Sequence, residues 1–185
     1  MNIVALDENK FLNGQVILIN KPIGWSSFDV VKKIKYLIKK KHKIKKIKVG
    51  HAGTLDPLAT GLLIVCTGKF TKIISKIQNM EKTYVGTITL GESTPSYDLE
   101  TKVDKKHKTS HITDTLIYQT KKKFLGEIEQ TPPIYSAIKQ NGERLYQKAR
   151  RGESVIIKNR KVFVKNFKIL SIDHLNIDFE IECSK

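Results

Sequence analysis

The stretch that most constrains the fold is the loop at 50–60, which is punctuated by glycine and proline and carries one acidic side chain, Asp56. Glycines such as Gly53 permit turns that a side chain would forbid, and Pro57 biases Asp56 towards an extended backbone. An apolar run with the length of a buried strand follows at 62–67. The loop is therefore predicted to connect ordered elements and to present one carboxylate at a defined point.

The loop alone leaves the role of Asp56 open. A positioned carboxylate can act as a nucleophile, a base or a metal ligand. A metal site is disfavoured because a cation needs several oxygen ligands, and the nearest acids in sequence, Asp29 and Glu81, are distant. The remaining alternatives are a catalytic acid and a structural aspartate that makes an Asx-turn.

The charge of the chain indicates a polyanionic partner. Its 185 residues include 34 lysines and arginines against 18 acidic residues, so the formal net charge is +16. An excess of this size favours RNA, DNA or an anionic membrane. The sequence has no apolar run near the roughly 18 to 20 residues of a membrane helix, and its first residues lack the pattern of a signal peptide. We therefore expect a cytoplasmic protein.

A helix followed by a lysine run leads into the loop. Ser26 and Asp29 have the spacing of a capping box, and the apolar residues that follow repeat with helical period. Lysines occupy the other face and the C-terminal end, which suits the negative end of the helix dipole. The basic segment at 39–48 is either a solvated face or a contact for RNA, and the sequence leaves both open.

The remaining elements mix strands and helices without a regular βαβ repeat. Strands are predicted at 14–20, 62–67, 83–91, 155–157, 162–172 and 175–183, and helices at 69–77, 113–124 and 143–150. The polar segment 91–111 should be a loop, and Asn141-Gly142 a turn. Cys66 and Cys183 predict two reduced, buried thiols. We expect an α+β fold with a mixed, largely antiparallel sheet flanked by helices, in one domain with insertions.

Several polar residues allow both a structural and a functional interpretation. His51 is either a hydrogen-bonded structural histidine or a residue that meets a base or phosphate in an opened nucleic-acid fold. Tyr84 is either a core aromatic or a platform under a flipped base, with a phenol able to exchange a proton. The clustered Arg144, Arg150 and Arg151 either mark phosphate contacts, which their planar forks suit, or occur there by chance.

Several short blocks stand out when the chain is read as a whole. They are Lys21-Pro22, Gly24-Trp25-Ser26-Ser27, residues 50–61, Lys82-Thr83-Tyr84, Gln130-Thr131-Pro132-Pro133 with Tyr135-Ser136-Ala137, and Cys183-Ser184-Lys185. In this order, and across nearly the whole chain, they resemble the TruB family of bacterial tRNA pseudouridine-55 synthases. The block Gly-His-x-Gly-x-Leu-Asp-Pro is highly specific to that family.

The resemblance implies a pseudouridine synthase fold and the conversion of one uridine in the T-loop of tRNA to pseudouridine. Asp56 would be the essential acid and His51 would fill the space that the flipped uridine leaves. Tyr84 would stack on the extruded base and is a candidate base for a ribose proton. Lys21 would be among the residues that bind substrate. The partner would be the T-arm of tRNA, bound by a monomer, with no membrane, metal or small-molecule cofactor.

A thumb-like RNA-binding insertion at about 131–152 is also implied, with Arg144, Arg150 and Arg151 as phosphate contacts. In the family, the Cys-Ser-Lys block continues into a Gly-x-Tyr-Ile-Arg segment whose arginine pairs with the catalytic aspartate, and then into an RNA-binding domain. The sequence ends at Lys185. We therefore expect residues 1–185 to be a catalytic domain, incomplete at its C-terminus, that isomerises uridine slowly or not at all by itself. Wild-type-like turnover by these residues would refute this expectation.

Two other classes of protein compete with the enzyme that the resemblance implies. One is a truncated tRNA-binding or tRNA-folding module that uses the basic surface without chemistry. The other is a metal-dependent nuclease that uses Asp56, which is disfavoured because no second acidic ligand is close in sequence. Substitution of Asp56 separates the first alternative from an enzyme, since a binding module needs no carboxylate.

Overall fold

The protein, seen in a computed structural model, consists of two compact units, Met1–Asn79 and Met80–Lys185. The structure describes residues 10–136, 138–140, 142–153, 155 and 157–184. Both units combine helices with antiparallel strands, which confirms the predicted α+β class. Within the described residues, no helix has the length and apolar character needed to cross a membrane.

The first unit is a three-stranded sheet with one long helix. Its elements are α1 (Lys10–Asn13), β1 (Val16–Lys21), α2 (Ser27–Lys41), β2 (Val49–His51), β3 (Gly61–Thr67), a 3₁₀ helix (Gly68–Ile73) and α3 (Ile74–Gln78). The strands are antiparallel in the order β1-β3-β2. β3 is therefore central, as its apolar sequence requires.

The long helix α2 begins where the sequence predicts. Ser26 is its N-cap, and it accepts a bond from the backbone N–H of Asp29 while the Asp29 carboxylate accepts one from the backbone of Ser26. This capping box satisfies two of the N–H groups that a helix start leaves open. Val30 packs with Leu63 and Val65 of β3 in the core of the unit. The cap and this apolar contact together fix the start of α2 against the central strand.

The second unit is built on a four-stranded sheet. Its elements are β4 (Lys82–Thr89), β5 (Glu92–Ser93), β6 (Lys105–Lys106), α4 (Asp114–Lys122), β7 (Gly126–Gln130), β8 (Lys139–Gln140), β9 (Glu143–Arg144), α5 (Leu145–Arg150), β10 (Arg160–Asp173) and β11 (Asn176–Cys183). The sheet order is β4-β11-β10-β7, and every pair is antiparallel. Two short hairpins, β5-β6 and β8-β9, stand outside this sheet.

The two faces of the four-stranded sheet differ in chemistry. On one face, cross-strand pairs join polar groups: Lys168 Nζ lies 2.6 Å from Glu180 Oε1, and Thr87 donates to Asp178 at 2.5 Å. On the other face, Ile88 pairs with the buried Ile177. An apolar cleft of about 500 Å³ lies between this face and α4. The alternation along β11 thus separates a solvated face from a core face, as period-two patterning predicts.

Several predictions about local structure need correction. The segment 91–111 contains the short β5-β6 hairpin rather than loop alone, and the helix predicted at 143–150 begins at Leu145, after β9. In the strand predicted at 155–157, Val155 and Ile157 lie in no strand, and the residue between them is outside the described ones. These errors share a cause, because strands of two or three residues carry too few positions to establish a period.

Other local predictions are confirmed. Gln140 pairs with Glu143 around Gly142, as the predicted turn requires, although Asn141 lies outside the described residues. Cys66 and Cys183 are buried and are not joined in a disulfide. Burial raises the pKa of the Cys66 thiol, because a charged thiolate would lose its hydration. Both cysteines therefore have the character of small core residues.

Gly68 is a position at which glycine is required. Its φ of 53° is in the left-handed region, and a Cβ there would overlap the backbone carbonyl oxygens of Phe11 and Leu12. We expect Gly68→Ala to lower the free energy of unfolding by about 3 kcal/mol or more, because the clash adds to the backbone penalty. Urea denaturation measures this loss.

Gly24→Ala is the matched control for Gly68→Ala. Gly24 also has a positive φ, of 80°, but apart from its two chain neighbours no described residue has an atom within 4 Å of the position of a Cβ. Gly24→Ala should therefore lower the free energy of unfolding only by the backbone penalty of about 1 to 2 kcal/mol. Equal losses for the two variants would contradict the assigned clash.

Candidate active site

Asp56 lies at an exposed point of the loop between β2 and β3. The loop is held at its start by the Ala52 N–H, which donates to the Ile64 carbonyl oxygen at 2.8 Å. The Ala59 N–H donates to the carbonyl oxygen of Asp56 at 3.0 Å, which closes a turn after Pro57. Asp56 is thus carried on a short, hydrogen-bonded segment, and the residue is exposed to solvent.

Ser27 fixes the residue before Asp56. Its buried hydroxyl donates to the Leu55 carbonyl oxygen at 3.0 Å and accepts from the Leu55 N–H at 2.9 Å. One side chain at the start of α2 therefore satisfies both backbone groups of Leu55, as a neighbouring strand would. The Leu55 side chain also packs against the core of the unit, so the approach to Asp56 is held by its backbone and its side chain.

Lys21 fixes the residue after Asp56. Its ammonium donates to three backbone carbonyl oxygens, those of Trp25 at 2.6 Å, Pro22 at 3.0 Å and Pro57 at 3.4 Å. The Pro57 oxygen also accepts from the Gly24 N–H at 2.8 Å. A buried ammonium with all three of its protons directed at acceptors is a satisfied charge. Lys21 therefore ties the turn after β1 to the turn after Asp56.

The burial of Lys21 bears on its predicted role. Its relative exposure is 0%, so its ammonium is turned inward and is not presented to a nucleic acid. Desolvation lowers the pKa of Lys21, and the negative charge of Asp56 opposes that shift. Lys21 therefore holds the backbone on the side of Pro57 and contributes a positive charge that acts on Asp56, while its predicted binding of substrate stays a prediction.

His51 ends β2 and is partly buried. Its Nδ1 donates to the carbonyl oxygen of Gly53. This bond spans the first turn of the loop, so His51 shapes the same segment that carries Asp56. The ring is oriented by the bond but is not enclosed by the core.

Tyr84 belongs to the second unit, in β4. It pairs with Ile181 of β11, and the alternation of β4 puts it on the same face as Ile88, which is the apolar face of the sheet. Its relative exposure is 42%. Tyr84 is therefore only partly covered, and a large part of the residue remains accessible.

The three clustered arginines lie at the hairpin and helix of 139–151. Arg151 donates to Glu143 at 2.5 Å and to Glu153 at 2.7 Å, which raises the pKa of Arg151 and lowers that of Glu143. Arg144 precedes α5, and its backbone N–H donates to the Gln147 side chain at 3.2 Å. The side chain of Arg150, which ends α5, lies outside what the structure describes.

Sequence reasoning missed the anchoring of the loop by Ser27. The only signal was that two serines stand together: Ser26 explains the capping box, and Ser27 then has no local role. The contact between Ser27 and Leu55 joins residues 28 positions apart, which no local pattern reveals. Among the described residues, no group of three or more histidine, cysteine or acidic side chains could hold a metal ion.

Comparison with known proteins gives the same family for most of the chain. The family described as TruB family pseudouridylate synthase (N terminal domain) matches residues 39–185. A tRNA pseudouridine synthase B from Flavobacterium johnsoniae is 56% identical over 177 residues, which cover 95% of this chain and 77% of the relative. A protein with the same name from Parabacteroides distasonis is 47% identical over 175 residues, covering 95% and 74%.

Solved structures share the fold. A chain in the crystal structure of a Cbf5-Nop10-Gar1 complex matches with a TM-score of 0.63 and 27% sequence identity, over 94% of this chain and 40% of that chain. A chain in the structure of an H/ACA RNP bound to a substrate RNA containing 2'-deoxyuridine matches with a TM-score of 0.58 and 24% identity, over 94% of this chain and 38% of that chain. The second likeness concerns the fold alone.

Proposed function

The chain belongs to the TruB family of pseudouridylate synthases, and from this premise we propose that it converts the uridine at position 55, in the T-loop of tRNA, to pseudouridine. The observation that carries the proposal is the geometry of Asp56, an exposed carboxylate on a loop that Ser27 and Lys21 anchor on either side. A carboxylate held in this way is suited to attack one defined atom of a bound nucleotide.

The reaction is an exchange of one glycosidic bond for another. The N1–C1′ bond of uridine breaks, a C5–C1′ bond forms, and C5 loses a proton while N1 gains one, so no atom is added or removed overall. Asp56 either attacks C1′, with departure of uracil, or adds to C6 of the ring. In the first route a proton leaves C2′ for Tyr84, the proposed base, and returns to C2′ when C5 bonds to C1′. In either route the bond to Asp56 breaks again before the product leaves. Because no electrons or groups are transferred, the chemistry calls for no cofactor.

Access to the uridine requires that it leave the stacked loop. Flipping a base costs a few kcal/mol, and the enzyme must supply groups that stabilise the opened state. We assign His51 to the space that the uridine leaves, since its ring is oriented by the bond to Gly53 and remains partly exposed. We assign Tyr84 to the face of the extruded base, because the residue is 42% exposed.

The hairpin and helix at about 131–152 form the proposed RNA clasp. The buried side chain of Leu145 and the bond from its N–H to the Ile138 carbonyl oxygen hold the helix against the hairpin. Arg144, Arg150 and Arg151 would meet phosphates from this clasp. Arg151 must exchange its two carboxylate partners for phosphate, since both of its described bonds are internal.

The proposal extends to the setting of the reaction. We propose that the protein acts as a monomer in the cytoplasm and recognises the T-arm rather than the whole tRNA. The net charge of +16 supplies the attraction to RNA, and the anchored loop supplies selectivity for a base that can be extruded.

Two hairpin RNAs of equal length test the proposed specificity. With uridine tritiated at C5, pseudouridine formation releases tritium to water. We expect release from an unmodified T-arm hairpin and at least about 100-fold less from an anticodon hairpin, because binding alone does not place a uridine against Asp56. Because residues 1–185 are expected to turn over slowly, the protein is kept in excess over the RNA and the incubation is long. Equal release from both RNAs would then contradict T-arm specificity, and release from neither would contradict the enzymatic function.

A further inference from the structure

A second concave surface lies at the C-terminal end of α2. It is a cleft of about 400 Å³ lined by Tyr36, Lys39, Lys40, Lys43, Ile44 and Lys45, which we call the lysine cleft. Four of the six lining residues are basic and none is acidic. A concave surface with one sign of charge focuses its field and favours an anionic ligand.

The lysine cleft lies away from Asp56. Ser27, at the start of α2, contacts the residue before Asp56, whereas Tyr36 is nine residues further along the helix. At 1.5 Å per residue this is a displacement of about 14 Å along the helix axis. The cleft is therefore too distant to take part in the chemistry but close enough for one RNA molecule to reach both places.

Aromatic rings are placed among the lysines of α2. Tyr36 is 55% exposed, and Lys40 Nζ lies 5.9 Å from the centre of its ring; Phe28 is 59% exposed, with Lys32 Nζ at 4.6 Å. Exposed rings among basic side chains are how proteins hold nucleic acids without reading sequence, since the ring stacks on a base or sugar while the cations follow the phosphates. An anionic lipid surface would use the lysines but not the tyrosine in this way.

The backbone conformation at Lys43 is a second observation, beside the aromatic rings, that points to a role for the positive charge of the cleft. Lys43 follows the C-cap of α2 with φ of 51°, a left-handed conformation that glycine or asparagine adopts at lower cost. The chain instead carries a lysine, which lines the same cleft as Lys39 and Lys40. A glycine would relieve the backbone but remove one cation from the cleft.

We propose that the lysine cleft binds the sugar–phosphate backbone of the substrate RNA, with Tyr36 as a stacking platform, as a second contact beside the Asp56 loop. That this RNA is the tRNA substrate rests on the proposed function. Of the two interpretations of the basic segment 39–48, a solvated face or an RNA contact, the proposal takes RNA contact for Lys39, Lys40, Lys43 and Lys45.

A charge-matched pair of variants tests the lysine cleft. The first replaces Lys39, Lys40, Lys43 and Lys45 by Gln, and the control replaces the exposed Lys102, Lys108, Lys122 and Lys123 by Gln. Both lower the formal net charge by four, so a difference between them reports position rather than total charge. Binding of unmodified tRNA is measured by filter retention at several salt concentrations.

The expected result is a loss of tRNA affinity when the lysines of the cleft are replaced, but not when the control lysines are replaced. We expect the first variant to bind about 10- to 100-fold more weakly, with the slope of log K against log salt reduced by about 2, since each lost phosphate contact removes about 0.7 to 0.9 from the slope. The control should change affinity less than about threefold. Tyr36→Ala should weaken binding about fivefold or more without changing the slope, because stacking releases no counterion.

A single-residue variant separates RNA contact from folding. Lys43→Gly should keep or raise the melting temperature while weakening tRNA binding about three- to tenfold. Unchanged affinity in the four-lysine variant, or equal losses in the control, would overturn the proposal. The proposal would also be overturned if the four-lysine variant kept its tRNA binding but lost binding to phosphatidylserine vesicles. The cleft would then be a membrane-binding surface.

Failure of the cleft and failure of the proposed function give different results. If the four-lysine variant binds tRNA normally while the unsubstituted protein forms pseudouridine, the cleft proposal is wrong and the function stands. If the unsubstituted protein forms no pseudouridine but the four-lysine variant loses tRNA affinity and the control does not, the cleft is an RNA site in a protein of another function.

Discussion

Asp56→Asn should abolish pseudouridine formation, with a fall in rate of at least about 10⁴-fold. The amide has nearly the shape of the carboxylate and leaves the backbone bonds of the loop in place, but it cannot form the covalent bond that the proposed mechanism requires. Removal of a nucleophile that acts with several partners commonly costs this much or more. Tritium release under single-turnover conditions measures the rate without interference from product release.

Binding provides the control for Asp56→Asn. The variant removes one negative charge from a surface that meets RNA, so the affinity for tRNA should stay the same or rise slightly. A variant that retains pseudouridine formation would contradict the role of Asp56. If the unsubstituted protein and the variant bind tRNA equally and neither forms pseudouridine, the protein is instead a tRNA-binding module.

Lys21→Met should destabilise the protein and slow the reaction together. The substitution leaves the carbonyl oxygens of Pro22 and Trp25 without the ammonium that now satisfies them, while the Pro57 oxygen keeps its bond from the Gly24 N–H. Buried unsatisfied acceptors cost about 1 to 3 kcal/mol each, partly offset by removal of a buried charge. We expect the free energy of unfolding to fall by about 2 to 4 kcal/mol. The turnover of folded protein should fall about 10- to 100-fold, since a small displacement of a catalytic group is costly.

Ser27→Ala is the companion to Lys21→Met, because it acts on the other side of Asp56 without removing a charge. It should lose about 1 to 3 kcal/mol of stability through the two backbone groups of Leu55 left unpaired. Both variants should lower kcat more than they raise KM, since the substrate contacts are untouched. Loss of stability with unchanged kcat would show that neither residue positions Asp56.

The pH dependence of stability distinguishes Lys21 from a merely space-filling residue. Burial lowers the folded-state pKa of Lys21 from its usual value of 10.5, so the unfolded chain binds more protons there. Stability therefore rises as the pH increases from the folded pKa towards 10.5. This rise should be missing in Lys21→Met, so the stability gap between the two proteins should widen with pH in that window.

The sequence predicted the parts of the fold that repeat over many residues. The helix α2, with its capping box at Ser26, and the strands β3, β10 and β11 each carry a long enough apolar period to be recognised. The strands β2 and β7 were missed because three and five residues give little periodicity. The family motif, rather than periodicity, identified the loop around Asp56 as functional.

The support of the candidate site could not be predicted in the same way. Lys21 stands in a chain with many exposed lysines, and nothing local distinguishes the one whose ammonium is buried among carbonyl oxygens. Ser27 acts on a residue 28 positions away. Both contacts depend on where the turn after β1 meets the loop after β2, which only the folded chain establishes. Asp56 could therefore be proposed as the catalytic residue from the sequence, whereas the contacts that hold its loop could not be predicted.

The central claim is that the anchored Asp56 carboxylate isomerises one uridine of the T-loop, and mapping of pseudouridine in full-length unmodified tRNA tests it most directly. Unsubstituted protein and Asp56→Asn are each incubated, in excess over tRNA because residues 1–185 are expected to react slowly, with the same tRNA. Every pseudouridine is then located by chemical labelling and primer extension. We predict one pseudouridine at position 55 with the unsubstituted protein and none with the variant. Pseudouridine at another position, or at position 55 with both proteins, would contradict the account.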